Sequence, residues 1–145
     1  MRNLRIVALC AALGGCAGAS TIPLAQDTVQ ITARAAPICG AAGAEKIAVR
    51  EAAAETIRRG YDRFIVMNAQ AGASYAGSTP VVVQNLGGGV AMASGGTPMF
   101  APNQGLVIKM FKDGDPAAAN ALPARETLGP DWQEQVKKNT INCLG

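Results

Sequence analysis

Thiols, carboxylates and lysines are the side chains left to do acid–base or nucleophilic chemistry in this chain, because histidine is absent altogether. Without imidazole the commonest general base and metal ligand at neutral pH is missing. Asp113 and Asp115 stand close together, but within Asp113-Gly114-Asp115-Pro116. That order reads as a turn followed by a helix cap with proline at the first helical position, and it lacks the ligand set of a calcium loop. Gly87-Gly88-Gly89 suggests a phosphate-cradling loop, yet neither a P-loop lysine nor a helix follows it, so the run is expected to be plain loop. No catalytic residue, metal ligand or cofactor is therefore expected. What remains is Cys10, Cys16, Cys39 and Cys143.

Two of these cysteines lie in an N-terminal leader. Arg2 and Arg5 give a positive start, residues 6–13 an apolar run, and Gly14-Gly15 a small-residue break. The run is far shorter than the ~20 apolar residues a spanning helix needs. Leu13-Gly14-Gly15-Cys16 resembles the lipobox of bacterial lipoproteins, in which the cysteine becomes the lipidated first residue of the mature chain. The resemblance implies a signal peptide at 1–15, lipidation of Cys16 and anchoring in the cell envelope. Ala17 occupies the position where aspartate directs retention in the inner membrane, so the periplasmic face of the outer membrane is the expected address. An alternative remains, ordinary cleavage after Ala17-Gly18-Ala19, which gives a secreted or periplasmic chain starting at Ser20.

With Cys10 in the leader and Cys16 used by lipid or lost by cleavage, Cys39 and Cys143 are left as an even pair in an oxidising compartment. A disulfide between them is expected, closing a loop of ~100 residues. A zinc site needs more ligands than two thiols, and a redox pair would favour Cys-x-x-Cys spacing.

The rest of the chain must supply a scaffold. It has 145 residues, 49% of them hydrophobic but only 4% aromatic, which predicts one domain with a small, alanine-rich core. Leaving out Arg2 and Arg5 brings the 13 basic residues to 11 against 10 acidic ones, so the mature chain is near neutral and lacks the basic excess of a nucleic-acid binder. Residues 16–26 are small, polar and unpatterned, as in a tether. Over 27–34, Val29, Ile31 and Ala33 alternate with Thr28, Gln30, Thr32 and Arg34, predicting a half-buried strand.

Residues 44–59 predict the main helix, with Ile47, Ala53, Ala54 and Ile57 inward and Glu51, Glu55, Arg58 and Arg59 on a solvated face, stopped by Gly60. Phe64-Ile65-Val66-Met67 predicts a strand covered on both faces. Residues 70–105 read as a flexible Gly/Pro-rich segment holding a weak hairpin, 80–84 against 90–93. A further strand is expected over 105–112, with Leu106, Ile108 and Met110 on one face, and short helices at 116–121 and 131–138, the latter with Trp132 and Val136 inward. The expected fold class is α+β: a β-α-β unit, three to five strands on one main helix, and a single domain over 27–145.

The run Ala52-Ala53-Ala54-Glu55-Thr56-Ile57-Arg58-Arg59-Gly60-Tyr61-Asp62 leading into Arg63-Phe64-Ile65-Val66 resembles small proteobacterial envelope lipoproteins, and its helix-to-strand step is similar to that of RcsF-type lipoproteins. The four-cysteine pattern of the latter is absent, so a sensor role is not implied. Together the resemblances imply a non-enzymatic lipoprotein held to the membrane by its anchor and acting on an envelope protein partner or as envelope support. The alternative is a periplasmic carrier of a small ligand or lipid.

Overall fold

The computed structural model describes residues 18–85 and 91–137. The strands β1 (Gly18–Pro23) and β2 (Thr28–Arg34) are followed by a 3-10 turn at Pro37–Cys39 and the helix α1 (Gly40–Arg58). Next come β3 (Arg63–Ser78), β4 (Val82–Asn85), β5 (Ala91–Ser94) and β6 (Pro98–Phe111). A second 3-10 turn (Pro116–Ala118), β7 (Leu122–Pro123), α2 (Ala124–Leu128) and α3 (Trp132–Lys137) complete the described chain. Five strands form one sheet in the order β1-β2-β6-β3-β7, and β4 pairs with β5 in a separate hairpin. The fold is α+β, and every pairing among the described residues is antiparallel.

The β-α-β unit is split. β2 and β3 both pair antiparallel with β6, so they run in the same direction with β6 between them. Local pattern finds the three pieces, but a long-range pairing decides that the third strand returns between the first two. The core follows from the alternation. Val29, Ile31 and Ala33 of β2 and Leu106, Ile108 and Met110 of β6 are buried on one face. α1 lies on that face with Ala44, Ile47, Ala48, Ala52, Ala53 and Ala54 buried. Alanine keeps the helix axis close to the sheet, so the contact area comes from close approach rather than bulky side chains. Gly60 has φ +79°, and the Gly60 and Tyr61 N–H groups close the helix onto Ile57 O and Thr56 O. That is the left-handed stop the sequence predicts.

Four expectations need correction. Gly18–Pro23 is not tether but the edge strand β1, paired residue for residue with β2. The alternation of β2 offers an open edge, and a polar strand suffices to satisfy its N–H and C=O groups. The charged face of α1 is not wholly solvated, because α2 and α3 lie across it and Glu51 is buried. The strand at Phe64 to Met67 is covered on both faces only at its start. Phe64 enters the main core and Ile65 packs on Phe111, Ala118 and Ala121, whereas Met67 is exposed at a β-bulge between Val66 and Asn68. Finally, much of 70–105 is regular strand, since β3 runs on to Ser78 and β6 begins at Pro98. The expected hairpin within it is present as β4 and β5.

The short helices are close to expectation. Asp115 caps the 3-10 turn at Pro116, its Oδ1 accepting from the Ala117 N–H at 2.9 Å. This turn ends at Ala118, short of the helix expected to 121. Trp132 and Val136 turn toward the core, partly buried. Because the alanines of α1 set the helix-to-sheet distance, Ala52→Leu is expected to destabilise the fold by about 1–3 kcal/mol through overpacking. Urea denaturation should show a lower midpoint with an unchanged slope.

Candidate functional site

Among the described residues, Cys39 and the carboxylates do not come together in one cluster. Cys16 and Cys143 lie outside the described residues, as does Gly87-Gly88-Gly89. Cys39 ends the first 3-10 turn and leads into α1, packed partly buried against the core. Asp113 and Asp115 have separate structural duties. Asp113 accepts from Arg63 Nε at 2.8 Å, bracing the start of β3, while Asp115 caps the turn described above. Among the described residues no group of three or more His, Cys, Asp or Glu side chains could hold a metal ion. No described helix is long and apolar enough to cross a membrane. A cleft between α1 and α2, lined by Ala42, Glu45, Lys46, Val49, Arg50, Thr127 and Leu128, is open to solvent and mixes charged and apolar side chains.

The most concentrated electrostatics belong to α1. Arg58 Nη1 donates to Glu51 Oε1 at 2.7 Å and to Glu55 Oε2 at 3.3 Å, while its Nε donates to Val136 O at 3.0 Å. Arg59 Nε donates to Glu55 Oε1 at 2.7 Å. Burial opposes the Arg58 charge, but the hydrogen bonds and charges of Glu51 and Glu55 outweigh it, and the pKa is raised. One guanidinium thus joins two turns of α1 to the backbone of α3. This is a clamp, and it explains how a carboxylate can be buried there.

The feature with the geometry of an interaction site is the far part of β3 and β6. Arg34, the last residue of β2, pairs with Asn103 of β6, which pairs in turn with Gly72 of β3. Beyond that row the two strands continue alone, from Ala73 opposite Pro102 to Ser78 opposite Pro98. They form a two-stranded arm, and β4 and β5 lie between them in sequence. The bulge at Met67 matters here. Without it, Asn68 would follow Phe64 and Val66 onto the core side. With it, Ala69 faces Leu106 and Asn68 faces Val107. The arm therefore carries Ala73 and Tyr75 with Pro102 and Phe100 on one face, and Ala71 opposite the buried Gln104 stands on that face at its base. Gly72 and Ser74 with Asn103 and Ala101 lie on the other, where Asn103 Nδ2 donates to Ser74 Oγ at 3.0 Å.

Tyr75 and Phe100 meet edge to face, ring centroids 6.2 Å apart and planes at 76°. Both are exposed, at 66% and 56%. Met99, Val81, Val82, Val83 and Met92 are exposed nearby in the chain. At Gly95 (φ +107°) a Cβ would stand 2.0 Å from Pro80 O, so the crossing before the arm's return strand demands glycine.

Sequence reasoning over the same residues finds a glycine- and proline-rich segment with a weak hairpin, and offers Tyr75, Met92, Met99 and Phe100 as a binding surface on a mobile loop rather than on paired strands. The missed signal is one of charge: no Asp, Glu, Lys or Arg occurs between Arg63 and Lys109. Exposed strands normally carry charges that block edge-to-edge pairing, and this arm has none. No protein-family model, curated protein or solved structure matches the chain.

For the clamp, Arg58→Met is expected to cost about 1–2 kcal/mol, because it leaves the buried Glu51 carboxylate without its donor. Glu51→Gln keeps an acceptor oxygen and should cost less. Chemical denaturation of the two variants side by side gives the order.

Proposed function

We propose that this protein is a non-enzymatic bacterial envelope lipoprotein, anchored through lipid on Cys16 at the periplasmic face of the outer membrane, where it binds a protein partner or supports the envelope. The observation that carries the reading is Leu13-Gly14-Gly15-Cys16 placed after a basic start and a short apolar run. The position of β1 supports it over the competing cut. Processing before Cys16 leaves all of Gly18–Pro23 to pair with β2, whereas cleavage after Ala19 removes the residues facing Arg34 and Ala33. Two or three acyl chains at ~0.8 kcal/mol per buried methylene make detachment negligible, where one chain would not. A disulfide between Cys39 and Cys143 belongs to the same proposal. It would tie the entry of α1 to the C-terminal tail in an oxidising compartment.

Mass spectrometry of the N-terminal peptide from native membranes tests the anchor. Diacylglyceryl-Cys16 is expected, and Cys16→Ser should abolish both labelled-palmitate incorporation and membrane retention; a free Ser20 terminus would overturn the reading. Non-reducing peptide mapping should yield a linked Cys39–Cys143 species. Cys143→Ser should cost about 2–5 kcal/mol of stability.

A further inference from the structure

We infer that the two-stranded arm is a second membrane contact, laying its apolar face into the headgroup and upper acyl region of the same bilayer that holds Cys16. The inference rests on the lipid-anchor reading and adds to it a surface, an orientation and a lipid occupant.

Topology carries the argument. Gly18 faces Arg34, Arg34 faces Asn103 and Asn103 faces Gly72, so the start of β1 stands at the row where the arm leaves the sheet. Only Ala17 separates Gly18 from Cys16, and two residue steps give a covalent reach of at most ~7 Å. β1 runs away from this row and the arm extends past it in the opposite direction. The arm therefore projects toward the side on which the acyl chains must lie. The first 3-10 turn is at the same end: the Ala35 N–H donates to Pro102 O at 3.0 Å, and Ile38 in that turn is 90% exposed. Apolar side chains with no protein cover thus cluster at the anchor end.

Chemistry selects lipid as the occupant. Arm and hairpin carry no charged side chain that would have to be desolvated. Aromatic and aliphatic residues, Tyr75, Phe100, Met99, Val82 and Val83, are combined with Ser, Thr, Gln and Asn, a mixture suited to the interface. A two-stranded ribbon also sets the depth. Among the described residues no further strand pairs with its outer edges, whose N–H and C=O groups hydrocarbon would not tolerate, so the arm lies in the interface and does not cross.

The test uses the full-length lipidated protein in phosphatidylethanolamine–phosphatidylglycerol vesicles whose acyl chains carry bromine, a short-range quencher of tryptophan. Trp132 is the single tryptophan and is replaced by Phe; F100W then reports the arm, and L122W, exposed at the opposite end beside Phe64, serves as control. Where Trp132→Phe does not fold, both probes are read with Trp132 retained, which adds the same constant signal to each. About twofold quenching of F100W with little change for L122W is expected. Equal, weak quenching of both probes in protein whose Cys16 is lipidated would overturn the arm contact and leave the anchor standing. So would an arm that crosslinks to a second copy while staying unquenched. An unmodified Cys16 in the membrane-derived protein would remove the anchor reading, and the arm contact with it.

Discussion

The packing of an alanine surface on one stripe of β6 is the constraint on which the rest of this molecule depends. Leu106, Ile108 and Met110 lie under α1, and β6 is also the strand that receives β2 on one side and β3 on the other. Small methyl groups on the helix let it approach closely, which spreads the contact over many residues and none in particular. The arrangement stabilises the near half of β3 and β6 only. Their far half leaves the helix behind, and beyond the 3-10 turn beside Pro102 it carries Tyr75 and Phe100 into solvent.

The face they share depends on one irregularity. The bulge at Met67 shifts the side-chain phase of β3 so that alanines and Tyr75, rather than Asn68 and Gln70, extend the core side of the ribbon. A bulge at this place also leaves Met67 itself in solvent. One extra residue thus decides which face of the arm is apolar, long before the chain reaches the exposed aromatic pair. The second bulge, between Tyr75 and Gly77, comes after that pair and does not alter it. Buried polarity is handled by a different device. Glu51 is enclosed by α2 and α3, yet Arg58 meets its carboxylate and ties the same helix to Val136 O. A charge inside the helical layer is tolerated because its partner is anchored from two directions.

Much of the near half is legible in the residues alone. Strict alternation at Val29, Ile31 and Ala33, the apolar stripe ending at Met110, and the glycine stop at Gly60 follow from local periodicity and backbone sterics. The caps follow too, because Asp115 and Pro116 act within a few residues of themselves. The far half is not legible. Ala69 to Ser78 is mostly alanine, glycine and serine with little β-propensity, and it becomes strand because Pro98 to Leu106 pairs with it from far along the chain. Likewise Glu51 belongs to the polar side of an isolated helix; only the later helices, far along the chain, bury it. The edge strand Gly18–Pro23 has no pattern to announce it, being short, mostly of small residues and exposed, and exists because β2 offers an open edge.

By itself, then, the sequence determined the absence of imidazole chemistry and the pieces of the core, since each of these is a property of residue type or of spacing within one turn or one strand. Tertiary structure alone decided that β6 lies between β2 and β3, that a helix face is enclosed, and that an uncharged ribbon leaves the sheet at the end where Gly18 begins. Those are outcomes of long-range pairing, and pairing is set by which apolar stripes can be buried together, a property no single stretch of the chain possesses.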